Sequence, residues 1–119
     1  MNTDMKDYIV NTNNIAWKPL NEEGVDTNGI SVKVLRYDES TNRAPSFMLK
    51  FEPGAKYPFH NHPAGEGVFV LEGSVFFNDV ELFQGEYLYT PKNFKHSVHS
   101  KKGCVLLFNV LEEVEILKQ

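Results

Sequence analysis

Two imidazoles one residue apart, His60-Asn61-His62, are followed by a carboxylate at Glu66 and by a further imidazole at His96. On an extended strand the side chains at i and i+2 leave the same face, so His60 and His62 project together. Two neutral imidazoles side by side suit a divalent metal, and a carboxylate beside them balances its charge. Pro63-Ala64-Gly65 reads as a turn, so Glu66 starts the next strand and can return to the same place. His96 opens a later strand after a turn over 91–95. Three nitrogens and one oxygen would then converge on one ion. His99 lies an odd number of residues from His96 and points to the other face.

These positions need a scaffold of short strands, and the chain supplies one. Apolar, β-branched and aromatic residues recur at 30–35, 46–51, 68–71, 75–77, 80–83, 87–90, 96–99 and 105–110. Turn signals separate them, among them Glu52-Pro53-Gly54, Glu72-Gly73, Asn78-Asp79, Gln84-Gly85 and Lys101-Lys102-Gly103. Such connections are too short for the crossovers of a parallel sheet, so the expected class is an all-β antiparallel sandwich or barrel. Residues 111–117 read equally as a strand or as a terminal helical turn. Residues 1–14 form a loose lead-in apart from Tyr8-Ile9-Val10, and 15–119 form a single domain.

The spacing is familiar as well as chemical. Gly54, His60, His62, Glu66 and Gly73 fill every fixed position of the first motif of the cupin superfamily, which the chain resembles. Gly85, Pro91 and His96 meet its second motif, with Asn93 where glycine is usual and Ser100 where asparagine is usual. Asn tolerates the left-handed backbone that glycine supplies in such turns. Trp17-Lys18-Pro19, Val70-Leu71-Glu72-Gly73 and Gly103-Cys104 resemble the ChrR-like branch, which includes an anti-sigma-factor domain and diketone-cleaving dioxygenases. The resemblance implies an RmlC-like jelly-roll barrel, a double-stranded β-helix with the metal inside it.

Val68 and Val70 share the strand parity of Glu66 and are expected to line the cavity, joined by Phe94 as candidate substrate-binding residues. Phe47, Phe59, Tyr87, Tyr89 and Phe108 are further candidates for lining or core. The ligand set admits Fe, Mn, Ni or Zn without selecting one, and four protein ligands leave two positions open on a six-coordinate ion. No catalytic base is identified, since Glu72 and Glu81 read as surface charges. The functional expectation is a small metalloenzyme, dioxygenase-like, acting on a small carbonyl or diketone-like molecule; the alternative is a non-catalytic metal-binding or sensing module. The sensing class carries an added sigma-binding domain, which this chain is expected to lack.

With 12 basic and 16 acidic residues and a net charge of −4, the chain has no concentrated positive surface, which argues against nucleic acid as a partner. No segment approaches the length of a membrane span or resembles a signal peptide, so a cytoplasmic location is expected. The one cysteine, Cys104, lies in an apolar run and reads as a buried, inert thiol. Phe69 and Leu71 alternate with the inward valines and should face outward, predicting a homodimer, with Tyr8-Ile9-Val10 able to add a strand to a partner.

Overall fold

The computed structural model describes residues 2–110 and 115–117. Among the described residues, two single-turn 3-10 helices, Met5–Tyr8 and Thr12–Asn14, precede ten strands. The strands are β1 (Lys18–Pro19), β2 (Ile30–Asp38), β3 (Arg43–Phe51), β4 (Lys56–His62), β5 (Glu66–Phe77), β6 (Val80–Phe83), β7 (Tyr87–Thr90), β8 (Phe94–His99), β9 (Cys104–Val110) and β10 (Glu115–Ile116). Every pairing is antiparallel. The expectation for residues 111–114 lies outside the described residues.

One face of the barrel runs β1-β2-β3-β9-β5-β7 and the other β10-β4-β8-β5-β6, so β5 belongs to both. Glu72-Gly73 reads in the sequence as a turn between two strands, but the structure runs one strand through it. The reason is a bulge: Val70 faces Leu106 and Glu72 faces Val105, leaving Leu71 as the extra residue. The bulge bends β5 from one sheet into the other and reverses its parity. Glu66, Val68 and Val70 face inward before it, whereas Val75 and Phe77 do so after it. Their inward faces join Ile30, Leu49, Phe51, Leu106 and Phe108 in one buried core.

A second bulge shapes β4. Tyr57 pairs with Val98 and His60 with His96, so β4 advances one residue more than β8 across Pro58-Phe59. Proline has no N–H for the ladder and is accommodated where pairing is interrupted. Three residues apart, Tyr57 and His60 would face opposite ways on a regular strand; across the bulge both are buried inside.

Ser100 is fully buried, its hydroxyl donating to Ser74 O at 2.6 Å and accepting from Gly103 N at 2.9 Å. It therefore ties the end of β8 to β5 and to the turn entering β9. Cys104 is buried beside it, and burial pushes its thiol up to about 11. Phe69 lies on the outer face and Leu71 is half-buried there. No helix among the described residues is long and apolar enough to cross a membrane.

Gly73 has φ +76°, and a Cβ placed there would lie 2.2 Å from Gly103 O. Gly73→Ala is expected to cost about 2 kcal/mol or more, because backbone meets backbone and neither side can yield cheaply. Urea unfolding at neutral pH measures it. A loss below about 0.5 kcal/mol would show that the corner is not held as described.

Candidate metal centre

Cross-strand register and one turn assemble the centre. His60 and His96 are direct partners between β4 and β8, which brings their rings to 4.6 Å. His62 follows on the same face of β4, its ring 4.6 Å from His60 and 5.1 Å from His96. The chain then turns through 63–65, with Gly65 N donating to His62 O at 3.1 Å. Gly65 has φ +86°, and a Cβ there would sit 2.7 Å from Thr90 O, so only glycine fits the turn that delivers Glu66. Asn93, at φ +64°, takes the left-handed conformation expected of it, and its N–H donates to His62 O at 2.8 Å. Three imidazoles thus come from one face of the barrel and the carboxylate from the other.

All four side chains are buried, none more than 3% exposed. Their candidate ligand atoms lie within 4.8 Å of one another, and the group can hold a metal ion. His62 Nε2 stands 2.5 Å from Glu66 Oε2, and His96 Nε2 stands 3.2 Å from Glu66 Oε1. His60 Nδ1 is 2.7 Å from Pro58 O, an acceptor only, so that nitrogen carries the proton and Nε2 turns its lone pair inward. That lone pair meets His62 Nε2 at 2.8 Å. Glu66 Oε1 and His96 Nε2 are buried without a hydrogen-bond partner. Inward lone pairs and orphaned acceptors around one point are what a cation relieves, so the residues fit the ion that their spacing suggests.

The electrostatics favour unprotonated His60 and Glu66. Burial lowers His60 to about 4, with His96 and His62 adding to the effect against the bond to Pro58. For Glu66, burial works to raise the carboxyl, but the close approach of the His62 and His96 imidazoles outweighs it and leaves the group lowered.

The centre opens on a cavity of ≈ 580 Å³ lined mostly by apolar side chains. Val32, Phe47, Leu49 and Phe108 form much of the wall, Phe47 and Phe108 stacking at 5.2 Å. Val68 and Val70, expected to line it, do point inward but are fully buried in the core and do not border this cavity. The open space lies toward β2, β3 and β9, which carry its wall. Phe94, the third candidate, is 45% exposed, with its ring 6.4 Å from His96 and outside the lining. Tyr87 and Tyr89 are exposed, and Phe59 is half-buried outside the cavity lining. His99 stacks on Phe76 at 4.8 Å, away from the centre. Four polar residues in the lining, Glu22, Glu23, Arg43 and Tyr57, carry no motif and are found only through the fold.

The metal-free protein should lose stability as the pH falls. His60 binds its proton near pH 6.5 in the unfolded chain but near 4 when folded, so between those values the unfolded state holds more protons. Stability is flat above about pH 7 and drops by roughly 2–3 kcal/mol on reaching pH 4. Urea titrations of chelator-stripped protein from pH 7.5 to 4.5 measure the slope. A flat profile would contradict a buried, neutral His60.

Residues 5–114 match the family model described as the ChrR cupin-like domain. No curated protein sequence matches the chain significantly. Among solved structures, a putative acetylacetone dioxygenase from Methylibium petroleiphilum PM1 is 18% identical, with a TM-score of 0.79 over 99% of this chain and 85% of that one. The polyketide cyclase RemF from Streptomyces resistomycificus is 19% identical, with a TM-score of 0.73 over 93% and 85%. The Rhodobacter sphaeroides complex of SigE with the anti-sigma ChrR gives 18% identity and a TM-score of 0.65 over 84% of this chain and 50% of that one. At such identities the structural likeness speaks for the cupin fold alone, whereas the family match spans nearly the whole sequence: the chain belongs to the ChrR cupin-like domain family.

Proposed function

We propose that the chain is a small metalloenzyme that binds one divalent ion through His60, His62, Glu66 and His96 and performs dioxygenase-like chemistry on a small carbonyl or diketone-like molecule. The observation that carries this reading is the meeting of three buried imidazole nitrogens and a carboxylate on the wall of a largely apolar cavity. A bound ion would supply Lewis acidity and, if iron, the electrons for dioxygen chemistry. The chain's residues supply the rest. Phe47, Leu49 and Phe108 keep bulk water from the substrate, and the cavity is large enough for a small molecule held against the centre. A non-catalytic sensing module is the second reading, favoured by the family match and by the anti-sigma ChrR neighbour.

Elemental analysis after chelator washing is the first test: His62→Ala and His96→Ala should each lower metal content at least about tenfold, because the remaining groups no longer close the site. Near-stoichiometric metal in either variant removes that ligand. Loaded with iron(II), the protein should consume dioxygen when given a small 1,3-diketone or hydroxyketone, and His96→Ala should abolish this. No consumption above free iron, with metal content verified, favours the sensing module.

We also propose a homodimer. Phe69, Tyr87 and Tyr89 expose aromatic surface on adjacent strands, and Ile9 and Val10 are exposed in the N-terminal segment. Light scattering at micromolar concentration should give twice the 13.6 kDa of one chain. A clean single-chain mass contradicts it.

A further inference from the structure

The cavity lining holds a carboxylate, Glu22, that is not part of the metal centre. Glu22 is half-buried in the loop joining β1 to β2. That loop is pinned by Leu20 N donating to Ile30 O at 2.9 Å, by Val25 N donating to Glu22 O at 3.1 Å, and by the Thr27 hydroxyl donating to Leu20 O. Tyr57, buried on β4, donates its hydroxyl to Glu22 Oε2 at 2.6 Å, and its ring stands edge-on to His60 at 5.0 Å. Tyr57 thus connects the carboxylate to the metal centre, and Glu22, Tyr57 and His60 all border the same space. Burial, then the bond to Glu22, holds the Tyr57 hydroxyl well above its ordinary range, so it stays a donor and Glu22 the acceptor. Oε1 is the carboxylate oxygen that Tyr57 does not engage.

With an ion held by their inward atoms, the ligand side chains do not serve as the base. Both Glu66 oxygens face imidazoles, and His60 has its outer nitrogen committed to Pro58 O. Glu23 also borders the cavity but is exposed. We infer that Glu22 is the general base of the cavity, with Tyr57 positioning it, and that the substrate is a carbon acid whose acidic C–H lies next to a carbonyl. This rests on the enzyme reading above. In the step, the C–H bond breaks, its electron pair forms the carbon–carbon double bond of an enolate as the carbonyl π pair moves onto oxygen, and the proton passes to Glu22 Oε1. No oxidant or co-reactant is needed.

The test uses the full chain loaded with zinc, which is redox-inert, and pentane-2,4-dione as probe. Stopped-flow absorbance follows the slow phase in which the carbon between the carbonyls loses its proton; the final amplitude reports bound enolate, and zinc content and melting temperature are measured on the same samples. Glu22→Gln keeps an oxygen that accepts from Tyr57 but removes the base. It should slow the phase about 100-fold, within the range of general-base catalysis, while amplitude, zinc and melting temperature hold. Tyr57→Phe should slow it about tenfold with the amplitude kept, since a displaced base costs rate and not equilibrium. Equal rates in wild type and Glu22→Gln overturn the proposal with the metal site intact. So does a Glu22→Gln variant that loses amplitude and melting temperature without losing rate, or a larger rate loss in Glu23→Gln. Absence of zinc from the wild type defeats the enzyme reading, and the base with it.

Discussion

A carboxylate held out of water beside three imidazoles is the constraint around which this barrel is arranged. Removing an ionised carboxylate from water costs several kcal/mol unless charge and hydrogen bonds compensate. Glu66 is 2% exposed, and the groups that compensate it are imidazole nitrogens at 2.5 and 3.2 Å. His60 is a poor proton carrier because burial holds it near 4. Either a proton shared between Glu66 and His62 or His96, or a cation at the common centre, must balance the charge. A cation also satisfies the inward lone pair of His60, which a single proton between Glu66 and one neighbour leaves facing His62.

Holding that arrangement requires departures from regular strands. The bulge across Pro58-Phe59 places His60 opposite His96 and turns Tyr57 to the same interior. The bulge at Leu71 lets β5 serve both faces, so Glu66 enters from one sheet while the histidines enter from the other. Gly65 and Asn93, both at positive φ, close the turns at the two ends of this junction, and His62 O accepts an N–H from each. Ser100 does comparable work at the opposite end of β8, where its hydroxyl satisfies the backbone of both β5 and the following turn. The bulges and the positive φ of Asn93 cost some local stability, and each aims a side chain or seats a bend.

The centre was legible in the sequence because its residues are few in type and fixed in spacing: His60, His62 and Glu66 lie within seven positions of one another, and a strand turns i and i+2 to one face. Most strands were legible for the same reason, since alternation and turn residues are local signals. The Leu71 bulge was not, because Glu72-Gly73 carries the composition of a turn and only pairing with β9 shows that the strand continues. Parity did send Val68 and Val70 inward, yet whether an inward residue meets a cavity or a neighbour depends on the opposite sheet, which no local pattern records. Glu22 and Tyr57 meet across a separation of 35 residues, with nothing in either neighbourhood to announce it.

That separation reflects a division of labour within the cavity. The ligand atoms converge on one point, with the outer nitrogen of His60 bonded to the backbone, so they are placed to hold an ion and, holding it, would have little freedom to carry protons. The wall from β2, β3 and β9 is apolar around Val32, Phe47, Leu49 and Phe108, side chains that offer neither acid nor base. Of the three remaining charged residues in the lining, Glu23 is exposed, and Arg43 is a donor only and gives a hydrogen bond to Val110 O at 2.7 Å. Chemistry that needs a proton removed must therefore draw on the loop before β2, where Glu22 reaches the interior against Tyr57. A loop tolerates substitution more readily than the strands that carry the His60, His62 and His96 cluster, so on the proposed reading the chemistry at Glu22 could change without disturbing that cluster.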